Sequence, residues 1–225
     1  MARTATAKRI LLALATVVLI ASLCGMGLFL FSSNGSVTEA GLIHVACVGD
    51  SITESSGYTE NLQTLLGDGF KVGNFGVSGS RVLLTSKLPY MNQPEFSEAK
   101  AFQPSIVVVM LGTNDATAKA TKSTETFQAD YRKLVNAYTT LESNPVVWLV
   151  KPPPIFENNL NLTNTSLEQN IIPCIEDVAT ELGLPTIDVN AAMTGCPAYF
   201  MDGVHPSSDG AMAIATAINQ AINTA

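Results

Sequence analysis

The stretch LIHVACVGDSIT, Leu42 to Thr53, changes character at its middle, and that change decides the fold. Leu42 to Val48 is a short apolar run with β-branched residues, the pattern of a strand buried on both faces. Gly49 and Asp50 suit a tight turn, and Ser51 stands where a helix would begin. Working outward, runs of the same kind recur at Lys71 to Phe75, Ile106 to Leu111, Val146 to Val150 and Thr186 to Val189. Helical spacing fills the gaps. Thr59 to Leu66 carries Leu62, Leu65 and Leu66 on one face and stops at Gly67, and Glu125 to Leu141 and Leu167 to Leu182 are similar. The last helix, Ser208 to Ile222, shows an alanine-rich stripe with Ile214 and Ile218. Val- and Ile-rich strands alternating with helices predict a three-layer α/β/α sandwich, with about five parallel strands and flavodoxin-like character. Active sites of such sheets lie beyond the carboxyl ends of the strands. Two stretches, residues 80–103 and 152–166, exceed ordinary connection lengths and are expected to shape a substrate cleft at that end.

With 225 residues, 47% of them hydrophobic and 14% charged, the chain has material for one domain with a sizeable core. Residues 10–31 carry no charge and follow Arg3, Lys8 and Arg9. That length reaches across a bilayer, so residues 1–31 are expected to be an uncleaved anchor or a signal peptide. The small and polar residues 32–40 then read as a linker, and 41–225 as the folded domain, placed outside the cytoplasm. From Ser32 onward the remaining 9 basic residues face 19 acidic ones, which argues against nucleic acid as a partner. Cys24 falls in the apolar run and Cys47 in a strand; Cys174 and Cys196 remain, either joined in an exported protein or two unrelated small hydrophobes.

Four short segments follow predicted strands: GDSIT at Gly49, NFGVSG at Asn74, GTND at Gly112 and DGVH at Asp202. In this order and spacing they resemble the SGNH (GDSL) hydrolases, whose four blocks supply Ser, Gly, Asn and His. The residues themselves support an acyl-transfer reading. Ester hydrolysis needs an activated hydroxyl, a base and donors for the oxyanion. Ser51 supplies a hydroxyl at the sheet edge, although on its own it reads as a helix N-cap. There are only two histidines, and His44 lies about 20 Å from Ser51 along the same strand at ~3.3 Å per residue. His205 is therefore the candidate base. Asp202, three residues earlier, is spaced to hold one ring nitrogen while the other faces Ser51. A plain helix-capping turn is the competing account of Asp202.

For the oxyanion, the resemblance assigns the backbone amides of Ser51 and Gly79 and the side chain of Asn114. A glycine lets its amide approach a carbonyl closely, and an asparagine amide is a neutral donor. Asp50 and Asp115 also match the family pattern and read as loop braces. Other chemistries find less support. Gly73, Gly76 and Gly79 do not make a dinucleotide fingerprint, GVSGS at Gly76 is not a G-x-S-x-G elbow, and two histidines without a C-x-x-C pair do not suggest zinc. No cofactor is expected. The context GDSITESSG, NFGVSGS, PYMNQPEF and PPP ahead of an asparagine-rich loop is similar to the exported branch containing sialate and other carbohydrate O-acetylesterases, although Ser55 stands where that branch usually has glycine. The resemblance thus implies a short-chain, acetyl-type esterase acting on small-molecule or carbohydrate esters. Alternatives are a lysophospholipase or thioesterase of the same fold, using Leu83, Leu84, Leu88, Tyr90 and Met91 as an apolar groove, or a carbohydrate-binding pseudoenzyme.

Overall fold

The computed structural model describes residues 41–117 and 124–224. The expected anchor or signal segment 1–31 and the linker 32–40 lie outside the described residues. Among the described residues no helix is long and apolar enough to cross a membrane.

Five strands form one sheet, β1 Ile43–Gly49, β2 Phe70–Gly76, β3 Ile106–Met110, β4 Val146–Lys151 and β5 Thr186–Asp188. All are parallel, in the order β2-β1-β3-β4-β5. Side chains alternate across the sheet, so two cores form. Ala46, Val48, Val107, Val109, Val147 and Leu149 face one way, with Phe96, Tyr131, Leu134 and Ile175 from the covering helices. Val45, Cys47, Val108, Met110 and Val150 face the other way, against Leu62, Ile214 and Ile218. Each fully buried side chain of this size contributes about 1.5–3 kcal/mol of hydrophobic free energy, enough in sum to fix the layering.

Among the described residues the α-helices of five residues or more are α1 Ser51–Ser55, α2 Tyr58–Leu66, α3 Pro94–Ala101, α4 Thr124–Thr139, α5 Ile172–Leu182, α6 Val189–Met193 and α7 Ser208–Thr224. Every expected strand and helix is present with its boundaries shifted by a few residues. Three details differ. The long segment 80–103 is not all loop: it contains α3, started by Pro94 in the first turn, where its missing N–H costs nothing. Leu167–Ile171 winds as a π-helix before Pro173 resets the chain to α at the start of α5. Val82, Leu83 and Tyr90 are buried in the first core, with the Tyr90 hydroxyl donating to the Phe75 carbonyl, so Leu83 and Tyr90 do not wall an open apolar groove.

Because β2 and β3 lie on opposite sides of β1, the connections leaving β1 and β3 diverge, which opens a crevice at the carboxyl ends of these strands. Ser51 follows β1, Gly79 follows β2 and Asn114 follows β3.

Candidate active site

The chain leaves β1 and enters α1 within one residue. Asp50 makes this abrupt change: its Oδ1 accepts the Ile52 amide at 3.0 Å as an N-cap. Ser51 is thereby the first residue of the helix, at the sheet edge, with its Oγ 2.9 Å from Nε2 of His205. Nδ1 of the same ring lies 2.7 Å from Oδ2 of Asp202. The other oxygen of Asp202 accepts the amides of Val204 at 3.0 Å and His205 at 2.8 Å. One carboxylate thus shapes the turn and orients the ring. With Asp202 accepting from Nδ1–H, Nε2 is left as the acceptor for the Ser51 hydroxyl. Partial burial pushes the Asp202 carboxyl up, but hydrogen bonds from the His205 amide, the His205 ring and the Val204 amide prevail and hold it below its usual range.

The segment after β2 is fastened to this site from several directions. The Val77 amide donates to the Gly49 carbonyl at 3.1 Å, and the Asn114 side chain donates to the Ser80 carbonyl at 3.1 Å. Gly79 lies between these attachments with φ +76°, a left-handed conformation that costs glycine little. Its amide makes no hydrogen bond among the described residues. The Asn114 carboxamide has two N–H groups, so one remains after the bond to Ser80.

Two buried carboxyls brace the surroundings, as the sequence suggests. Asp115 accepts the amides of Val82 at 3.0 Å and Leu83 at 3.2 Å, and burial pushes it up to about 6. Asp50 is more extreme. Burial, with a smaller contribution from the charge of Asp115, outweighs the Ile52 amide and raises it to about 7.

His44 is separate from the site: its ring stacks on Phe102 at 4.5 Å and its Nδ1 lies 2.9 Å from the Phe102 carbonyl oxygen. Cys174 and Cys196 are both free, the first buried under α4 with its Sγ against the Thr124 carbonyl. Of the asparagines in the 152–166 loop, Asn158 is spent on Phe156, Leu160 and Leu162, and Asn164 on Ile155 and Glu168. Only Asn159 and Asn161 remain exposed without such duties.

One neighbour escaped the sequence reading. The Glu54 carboxylate, on α1 just beyond Ser51, accepts both the amide and the hydroxyl of Ser78. It ties the helix carrying Ser51 to the residue before Gly79. No local pattern signals this, because the partners are 24 residues apart.

Comparison with known proteins gives the family and the fold. The GDSL-like lipase/acylhydrolase family matches residues 47–213. An acetylxylan esterase of Xylanibacter ruminicola is 33% identical over 206 residues, covering 80% of this chain. The chain spans only 43% of that relative's length. Among solved structures, a carbohydrate acetylesterase from Sinorhizobium meliloti has a TM-score of 0.67 at 19% identity, covering 81% of this chain and 99% of its own. An aryl esterase of M. smegmatis gives 0.66 at 19%, with the same coverages, and a GDSL-like lipase from Bacteroides thetaiotaomicron 0.64 at 22%, covering 85% and 93%. These structures share the α/β fold of the chain, and the family match spans both Ser51 and His205, so the chain belongs to the GDSL-like lipase/acylhydrolase family.

Proposed function

We propose that the chain is an exported serine esterase that removes acetyl and other short acyl groups from carbohydrate. The observation that carries this reading is the hydrogen-bonded series Ser51 Oγ, His205 Nε2, His205 Nδ1 and Asp202 Oδ2, with steps of 2.9 and 2.7 Å on either side of the ring. Ser51 Oγ attacks the ester carbonyl while Nε2 takes its proton, and Asp202 stabilises the imidazolium. The amides of Ser51 and Gly79 and the free N–H of Asn114 stabilise the oxyanion. Collapse breaks the bond to the alcohol, whose oxygen receives the proton from Nε2. Water, deprotonated by the same nitrogen, then releases the acid and restores Ser51.

The carbohydrate assignment draws on the acetylxylan esterase relative and on the burial of Leu83 and Tyr90, which removes two side chains an acyl groove would need. A lipase-like site gains about 0.8 kcal/mol per buried CH₂ only where such a groove exists. In this reading residues 41–225 are the catalytic domain. The apolar segment before it either anchors the enzyme or directs its secretion.

The test is a series of p-nitrophenyl esters from acetate to decanoate. Rates fall steeply beyond the shortest chains, and Ser51→Ala abolishes turnover without changing the circular dichroism. Rates that climb towards decanoate would install the lysophospholipase reading, and an unaffected Ser51→Ala would remove the serine mechanism altogether.

A further inference from the structure

A cleft of about 560 Å³ opens beside the triad, between residues 157–160 of one loop and residues 201–203 of another. Asp202 lies on its wall, and the ring that Asp202 holds reaches Ser51 with its opposite nitrogen. The His205 ring, with its hydrogen bonds of 2.7 and 2.9 Å, thus separates the Asp202 carboxylate on the cleft wall from the Ser51 hydroxyl. Chemistry decides which part of an ester points there. The leaving oxygen has to receive its proton from His205, whereas the carbonyl oxygen has to face the opposite donors, Gly79 and Asn114. The alcohol portion consequently extends on the His205 side, the side of the triad on which Asp202 and the cleft lie.

The walls are held in shape. The Phe156 amide donates to the Gly203 carbonyl at 2.7 Å, and the Phe156 and Phe200 rings pack at 5.0 Å. Gly203 adopts φ +85°, and a Cβ there would fall 2.1 Å from the Glu157 carbonyl oxygen, so the two loops touch as closely as backbone allows. The Asn158 side chain ties the 156–162 turn together internally.

The lining combines three kinds of surface. Leu160 and Met201 are large apolar side chains left 49% and 72% exposed at the cleft, a surface suited to the C–H faces of a sugar ring. Asn159 offers both a donor and an acceptor for hydroxyls. Among the described residues of the lining the charged side chains, Glu157 and Asp202, are both negative, and none is Lys or Arg.

We propose that this cleft binds the glycan on the alcohol side of the ester and selects neutral sugars over anionic ones such as uronates and sialates. The proposal rests on the esterase reading above and narrows its substrate class. Two solvent-facing carboxylates repel a ligand carboxylate modestly, giving roughly a three- to tenfold preference at low salt that shrinks as salt screens it.

The test measures acetate release from an O-acetylated methyl xyloside and an O-acetylated methyl glucuronate, at low and high salt, by wild type, Glu157→Gln, Glu157→Lys and Leu160→Ala/Met201→Ala. The expected result is a neutral-over-anionic preference that falls about threefold in Glu157→Gln, falls further in Glu157→Lys and weakens with salt. In the double variant, kcat/KM on the neutral glycoside acetate falls several-fold relative to that on p-nitrophenyl acetate. Equal turnover of both glycosides, insensitive to Glu157, overturns the charge selection while leaving the esterase reading in place. A double variant with an unchanged ratio of the two neutral substrates overturns the cleft as the glycan site. Failure of wild type on both glycosides overturns the proposal together with the reading it rests on.

Discussion

Asn114 shows how two demands meet in one side chain. It donates to the Ser80 carbonyl and keeps one N–H, so it both fastens the loop after β2 and has a donor to spare for an oxyanion. Asn114→Ala is expected to lower kcat by on the order of 10²–10³, the loss found when one oxyanion donor is removed. A change confined to KM would assign Asn114 to substrate binding instead. Glu54 accepts the Ser78 amide one step further out, and through it is proposed to position the Gly79 amide. Glu54→Ala should lower kcat about tenfold with little change in KM, because slight misplacement of a catalytic donor is costly. Glu54→Gln, which keeps an oxygen to accept the Ser78 amide, should recover part of that loss. Equal losses in both variants would point to the charge of Glu54 rather than its position. His205 and Asp202 could be chosen from sequence because there were only two histidines to weigh and a three-residue spacing to judge. Glu54 could not, since its role depends on a contact with a residue on another element.

At the level of elements, strands and helices with strong periodicity were legible, and what came out differently was local. Segment 80–103 hid α3, whose apolar residues are few: Phe96 and Ala99 are its buried contacts. The 152–166 loop is long and polar, as its composition indicates, but much of its polarity serves itself. Asn158 bonds the carbonyls of Phe156 and Leu162 and accepts the Leu160 amide. Asn158→Ala should loosen one wall of the cleft, costing about 1–3 kcal/mol locally for the groups left unpaired. Hydrogen exchange of the Leu160 and Leu162 amides would then accelerate while the strands stay protected. Unchanged exchange at both amides would show that the turn holds without this side chain.

Across the whole molecule, stability against pH reports on the buried carboxyls. Asp50 rises from the usual 3.8 to about 7 and Asp115 to about 6, so the folded chain keeps protons that the unfolded chain releases at lower pH. Stability then declines as pH rises from about 4 to about 7, by roughly 1.4 kcal/mol per unit of pKa difference for each group at most. Asp202, held below its usual range, works in the opposite sense: its contribution is present above the unfolded value and is lost as pH falls through the folded one. Thermal melts should therefore give a higher Tm at pH 5 than at pH 8, with Asp50→Asn flattening the slope. An identical slope in that variant would mean that Asp50 is already ionised in the folded domain at pH 5. Sequence alone determined the sheet, its parallel sense and the triad candidates, because these rest on period, punctuation and the scarcity of histidine, all local or countable properties. Only the tertiary structure decided that Leu83 and Tyr90 belong to the core, that Cys174 and Cys196 stay apart, and that Glu54 meets Ser78. It also created the acidic cleft beside Asp202 from residues more than 40 positions apart. Each of these depends on which distant surfaces the packing brings together, a property that no stretch of the chain carries by itself.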